Sequence, residues 1–143
     1  MKRSLPFFLA LLALSGLLCG CARTVQIDDL SRTSYIKVRA FSNTDQSYTD
    51  YVISDYREVD EVCATLQSLT LEKVRITEPL GMACQLTFYN LAHRRICIIS
   101  VVFGNYVDYN GDIHKITSDC DVVAYLNGIV AKLTPVSQKG GTQ

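Results

Sequence analysis

The sequence has no tryptophan, only three prolines and two histidines, and no excess charge of either sign. Its 14 basic side chains are balanced by 14 acidic ones over 143 residues. Because nucleic-acid binding needs clustered basic residues, the neutral balance excludes that class of partner. With 48% hydrophobic residues, the chain is too apolar to remain disordered. Its length suits one domain and is too short for a multidomain enzyme.

Recognisable catalytic and metal-binding motifs are also missing. The sequence contains no G-x-S-x-G nucleophile elbow, no glycine-rich phosphate loop and no His-Glu zinc signature. His93 and His114 lack the C-x-x-C or H-x-x-x-H spacing that indicates a zinc site. The acidic pair Asp60 and Glu61 falls at a predicted helix start, where carboxylates favour the helix dipole. We therefore expect no catalytic residue, no cofactor and no metal ion.

The first 20 residues have the layout of a secretory signal. Two basic residues precede an apolar stretch at 5–18, which is shorter than the ~20 residues a membrane-spanning helix needs. The letters LCGC at 18–21 then resemble the lipobox of bacterial lipoproteins, with Cys19 at a position commonly held by Ala or Ser. The resemblance implies cleavage before Cys21 and diacylation of its sulfur. Two acyl chains form a stable membrane anchor.

The lipobox divides the chain into four parts. We expect a signal peptide at 1–20, a lipidated Cys21 with a polar tether at 21–34, one domain at 35–133 and a flexible tail at 134–143. This layout resembles that of many small envelope lipoproteins. It implies an exported protein, anchored in the cell membrane or the outer membrane, with its domain on the extracytoplasmic side.

The strongest local signal in the domain is the dipeptide Asn-Gly at 110–111. A type I′ turn needs positive φ at both central residues, and Asn-Gly tolerates this best. The two-residue loop predicts a hairpin that pairs Val107 with His114 and Tyr106 with Lys115. This hairpin would end a C-terminal meander of strands.

Hydrophobic periodicity predicts the remaining elements. Alternating apolar residues at 35–41 and 84–89 are typical of half-buried strands, and the nearly continuous apolar run at 96–103 indicates a central strand. Capping residues at Asp55 and at 118–121 precede two amphipathic helices. We expect an α+β fold, with an antiparallel sheet of about five to six strands packed against the two helices.

Four cysteines follow the expected anchor: Cys63, Cys84, Cys97 and Cys120. In an exported chain an even number of cysteines suggests disulfides, and four cysteines permit three pairings. Cys63 on the apolar helix stripe and Cys84 on an apolar strand face are compatible with one bridge, and Cys97 and Cys120 would then be the second pair. The alternative is that the cysteines are small hydrophobic core residues.

Tyrosine is the remaining signal of a binding surface. The eight tyrosines outnumber the five phenylalanines, and tyrosine is enriched at interfaces. Candidate partner contacts are Arg94, Arg95, Tyr106 and Tyr109. The sequence favours a non-enzymatic, membrane-anchored binding module of the bacterial cell envelope. Its expected partners are membrane lipid through acylated Cys21 and an envelope protein or ligand. Two alternatives stay open: an inhibitor or immunity-type protein, and a thiol- or metal-handling protein.

Overall fold

A computed structural model describes residues 24–42, 44, 46–76, 81–102 and 105–136. These residues form an eight-stranded antiparallel sheet and two helices. The predicted signal peptide and the lipobox-like residues with Cys21 lie outside the described residues, and so does the end of the predicted tail, 137–143. Within the described ranges, neither helix is long and apolar enough to cross a membrane.

The elements follow one another in the order β-β-β-α-β-β-β-β-β-α. Their bounds are β1 Thr24–Val25, β2 Tyr35–Ser42, β3 Ser47–Ile53, α1 Tyr56–Gln67, β4 Leu71–Lys73, β5 Met82–Tyr89, β6 Arg95–Val102, β7 Tyr106–Tyr109, β8 Asp112–Ile116 and α2 Val122–Val130. Across the sheet the strands lie in the order β1-β4-β8-β7-β6-β5-β2-β3. The predicted α+β class is confirmed. The sheet has eight strands rather than the expected five to six, and the shortest of them, β1 and β4, span two and three residues.

The meander from β5 to β8 has the predicted final hairpin. The two turn residues at 110–111 have φ angles of 56° and 82°, the left-handed conformation of a type I′ turn. Val107 lies opposite His114 and Tyr106 opposite Lys115, as predicted. A slip of one residue would move every side chain of β8 to the other face, so the turn fixes which residues are buried.

Both helices begin at an aspartate. The Asp55 carboxylate accepts hydrogen bonds from the backbone amides of Arg57 (3.0 Å) and Glu58 (3.2 Å), which confirms the predicted N-cap of α1. Asp121 accepts from the amide of Ala124 (2.9 Å) at the start of α2. Each such cap stabilises the fold by about 1 kcal/mol. The helices bury Val59, Val62, Cys63, Leu66, Val122 and Leu126.

The sheet has a packed face and an open face. The helices cover the packed face, where Ile36, Phe88 and Ile99 are fully buried. Side chains alternate between the faces along each strand. No described helix or strand covers the open face, whose side chains are mostly half-buried or exposed. It carries Tyr35, Lys37, Arg39, Asp50, Val52, Gln85, Thr87, Tyr89, Ile98, Ser100, Tyr106, Asp108 and Lys115.

The segment before β2 belongs to the core rather than to a polar tether. Ile27 and Leu30 are 5% and 1% exposed and join the same core as the helices. β1 pairs with β4 at the edge of the sheet, and the backbone amide of Asp28 donates to the Tyr109 hydroxyl (3.0 Å). Two buried residues three positions apart give little periodicity, so this part of the domain was not expected from the sequence.

Candidate functional site

A row of polar side chains crosses the open face. Asp50, Arg39, Gln85, Ser100 and Asp108 lie on five neighbouring strands, each opposite the next. Arg39 donates through Nε and Nη2 to the two carboxylate oxygens of Asp50, at 2.8 and 3.2 Å. Gln85 Nε2 donates to Ser100 Oγ at 3.3 Å. The hydrogen bonds from Arg39 hold the pKa of Asp50 below its usual range, so this carboxylate stays ionised at neutral pH.

Stacked rings hold a lysine in place beside this row. Tyr35 and Tyr89 face each other on β2 and β5 with ring centroids 4.8 Å apart and ring planes 3° from parallel. The His93 ring is tilted against Tyr35, and its Nδ1 lies 3.2 Å from the Tyr35 hydroxyl oxygen. Lys37 Nζ lies 5.3 Å from the centroid of the Tyr89 ring, which is within cation–π range. We call these four residues the tyrosine cluster.

The loop between β5 and β6 presents His93 to the cluster. Asn90 Oδ1 accepts hydrogen bonds from the amides of Ala92 (3.0 Å) and Arg94 (2.9 Å), which fixes the turn. His93 has φ of 57°, a left-handed conformation that costs a non-glycine residue about 1–2 kcal/mol. The ring contact with Tyr35 offsets part of this cost. Arg94 and Arg95 follow, both exposed.

A cavity of about 330 Å³ opens on the same face between β2, β3 and β5. Lys37, Arg39, Gln85, Thr87, Tyr89 and Val136 contribute to its lining. The backbone amide of Val136 donates to the carbonyl oxygen of Asp50 (2.8 Å), so the chain after α2 forms one wall at the edge of β3. A larger hollow of about 690 Å³ at the start of α2 is more open and is lined by acidic rather than basic side chains.

The predicted contact residues do not form one site. Arg94 and Arg95 lie at the end of the sheet that carries the tyrosine cluster. Tyr106 is half-buried on the open face opposite Val102, at the other end of β6 from Arg95 and roughly 23 Å away along the strand. Tyr109 is 4% exposed and points into the core, which corrects its prediction as a partner contact. Alternation along β7 puts Tyr109 on the packed face.

Tyr109 instead joins the N-terminal segment to the core. We expect Tyr109→Phe to lower the free energy of unfolding by about 0.5–1.5 kcal/mol, because it removes the acceptor of the Asp28 amide. Denaturant unfolding measures this loss, and amide hydrogen exchange at Asp28 should accelerate. Tyr106→Phe on the open face is the matched control. Equal stability of the two variants would contradict this role.

All four cysteines of the domain are free thiols, so the predicted bridges Cys63–Cys84 and Cys97–Cys120 are wrong. The strand register puts Cys84 beside a residue four positions after Cys97, about 13 Å along β6. Cys63 lies near Cys97 and raises the pKa of the Cys97 thiol through space. Cys63 is therefore near the Cys97 end of β6, whereas Cys84 lies towards the opposite end of that strand. Cys120 lines a hollow with Asn105, beyond the other end of β6. Cys63 and Cys84 are buried core residues.

The thiols of buried Cys84 and half-buried Cys97 should react slowly. Burial raises the pKa of Cys84 to about 12 and is the main cause that raises the pKa of Cys97 to about 11. Only the thiolate reacts, so at pH 8 we expect alkylation of both to be about a hundredfold or more slower than that of a free cysteine. A time course with iodoacetamide and peptide mapping, with and without urea, measures the rates. Alkylation in the folded protein as fast as in urea would contradict their burial.

No pattern in the sequence indicates the tyrosine cluster. Tyr35 and Lys37 have the pattern of ordinary residues on the solvent-facing side of a strand. Tyr89 lies 54 positions after Tyr35, so no local pattern connects the two tyrosines. Only the register between β2 and β5 brings the two rings together.

His114, which the sequence analysis considered as a possible zinc ligand, is 3% exposed, and its Nδ1 has no hydrogen-bond partner. Among the described residues, no group of three or more His, Cys, Asp or Glu side chains could hold a metal ion.

The cavity offers a cation and hydrogen-bond donors on a concave surface. Lys37 supplies the ammonium, and Thr87 and Gln85 supply a hydroxyl and an amide. These groups suit the recognition of a ligand that carries hydrogen-bond acceptors and negative charge. No protein-family model, curated protein or solved structure matches this chain.

Proposed function

We propose that this protein is a non-enzymatic, membrane-anchored binding module of the bacterial cell envelope, with the open face of its sheet as the binding surface. The observation that carries the proposal is the tyrosine cluster. Fixing a lysine and two tyrosines on a solvent-exposed surface costs side-chain entropy. Solubility alone does not require such an ordered arrangement. Stacking and the cation–π contact offset that cost and leave Lys37 in a defined position.

The lipobox supports the location of the module. With Cys21 as the lipidated residue, β1 begins three residues later at Thr24. An extended link of that length spans at most about 11 Å, so β1 and its edge of the sheet would lie close to the membrane. The cavity lies between β5, β2 and β3, five to seven strands from β1. At 4.7–4.9 Å per strand it is about 24–34 Å from that edge, which favours a partner in the aqueous envelope over the bilayer.

Site-specific photo-cross-linking in intact cells tests this function. A photoreactive amino acid at Val52, which lines the cavity, should give a discrete adduct. The same amino acid at Ala64, exposed on α1, is the control and should not give it. The Val52 adduct should also disappear in a Lys37→Met background. Identical adducts from both positions, no adduct from Val52, or an adduct that survives Lys37→Met would refute the proposal.

A further inference from the structure

We infer that the cavity between β2, β3 and β5 binds a small monocarboxylate, and that Lys37 Nζ pairs with the carboxylate. The inference rests on the proposed function, since it names the ligand class for the same open face. Three observations carry it: the uncompensated charge of Lys37, the ionised carboxylate of Asp50 at the cavity, and the mixed polar and apolar lining.

The first observation is that the positive charge of Lys37 is not balanced within the cavity. Arg39 and Asp50 neutralise each other through their two hydrogen bonds. Within the described part of the chain, the ion pairs are Arg39–Asp50 and Lys73–Asp112, and neither includes Lys37. Lys37 acts on Asp50 through space, but its ammonium lies over the Tyr89 ring. The cavity therefore has one positive charge in excess, which complements one negative charge on a ligand.

The second observation, the ionised Asp50 carboxylate, indicates which kind of anion the cavity can bind. Asp50 lines the same cavity and is kept ionised by Arg39. A doubly charged phosphate would place a second negative charge near this carboxylate, whereas a monoanion balances the excess charge. A carboxylate accepts hydrogen bonds on two oxygens, so Lys37 Nζ and the Thr87 hydroxyl can donate to it together. Gln85 uses one amide hydrogen on Ser100 and has a second to donate.

The third observation concerns the body of the ligand. Val52 and Val136 give the cavity an apolar side, and the Tyr89 ring contributes a further apolar surface. A volume of about 330 Å³ is at the lower end of the range for ligand pockets, which suits a small molecule. The ligand we infer has one carboxylate and an uncharged, partly apolar body.

Titration of the full chain, purified in a non-ionic detergent and followed by backbone amide NMR, tests the inference. The probes are N-acetyl-alanyl-alanine and its C-terminal amide, which differ in the negative charge. We expect saturable shifts at Gln85 and Thr87 with the acid and none with the amide. Lys37→Met should weaken binding of the acid about tenfold or more, since it removes a charge-assisted hydrogen bond. Lys115→Met, on the other side of the open face, is the matched control and should bind normally.

Tyr89 is a positioning residue for Lys37. Tyr89→Phe keeps the ring face and should retain binding of the acid, whereas Tyr89→Leu should weaken it severalfold. Equal loss of binding in both variants would contradict positioning by the ring. A general loss of folding would be evident from collapsed amide dispersion before any titration.

Four results would overturn the carboxylate site. They are equal shifts with the acid and the amide, no saturable shift with the acid, equal weakening in Lys37→Met and Lys115→Met, and tighter binding of inorganic phosphate than of the acid. These results are independent of the cross-linking experiment. Selective acid binding without a Val52 adduct would refute the envelope partner and keep the site. A Lys37-dependent adduct without acid binding would refute the carboxylate and keep the binding module.

Discussion

Replacing Leu30 with Ala is expected to lower the free energy of unfolding by about 2–5 kcal/mol. Leu30 precedes β2 in a segment with few apolar residues, yet it is 1% exposed and packs into the core beneath the helices. Truncation removes buried methyl groups and leaves a cavity that neighbouring side chains fill only in part. Because domains of this size are stable by about 5–15 kcal/mol, the loss is a large fraction of the total. Urea unfolding followed by circular dichroism measures it.

Leu91→Ala is the control for this substitution. It makes the same chemical change in the loop between β5 and β6, where the Leu91 side chain is 85% exposed. We expect its effect to stay within about 0.5 kcal/mol. If Leu30→Ala were no more destabilising than Leu91→Ala, the N-terminal segment would be a peripheral strap rather than part of the core.

This result bears on how the proposed lipid anchor at Cys21 would hold the domain. A chain free from residue 22 to residue 34 would let the domain move several nanometres from an anchor at Cys21. Packing of Leu30 and pairing of β1 with β4 shorten that link to the residues before Thr24. The domain would then have a restricted orientation, with the β1 edge towards the lipid and the cavity towards the other edge of the sheet.

The sequence predicted those parts of the fold that depend on neighbouring residues. The Asn-Gly turn determined the pairing of β7 with β8, because only positive φ at both residues closes a two-residue loop. Asp55 determined the start of α1, because its side chain satisfies amides that have no partner inside the helix. Both features lie within a few residues of the signal that predicted them.

The site depends on contacts between distant residues. Tyr35 and Tyr89 meet because β2, from early in the domain, pairs with β5 rather than with a later strand. The pairing of β5 with β6 likewise separates Cys84 from Cys63, although both cysteines are buried, as the apolar pattern around them indicates. Composition alone did not predict the burial of Tyr109. Tyrosine is enriched at interfaces, but this enrichment does not indicate which face of the sheet a given tyrosine occupies.

Replacing Cys21 with Ser is expected to abolish lipid attachment and to leave the chain uncleaved. The lipobox resemblance implies that the Cys21 sulfur forms the bond to the diacylglyceryl group, and a serine hydroxyl is a far weaker nucleophile than a thiolate. Acyl chains contribute about 0.8 kcal/mol per buried CH₂, so losing both removes the stable anchor. Metabolic labelling with an alkyne fatty acid measures the loss of lipid, and intact mass distinguishes the full chain from one that begins at residue 21.

Cys19→Ser is the matched control, because it changes a cysteine two positions away and creates a residue that is common there in the lipobox. It should keep both the label and the cleavage before Cys21. Label that persists in Cys21→Ser, or that disappears in Cys19→Ser, would place the acyl group on Cys19 or elsewhere and refute the assignment. Loss of label in Cys21→Ser alone would fix the anchor three residues from β1 and, with it, the side of the sheet that faces the membrane.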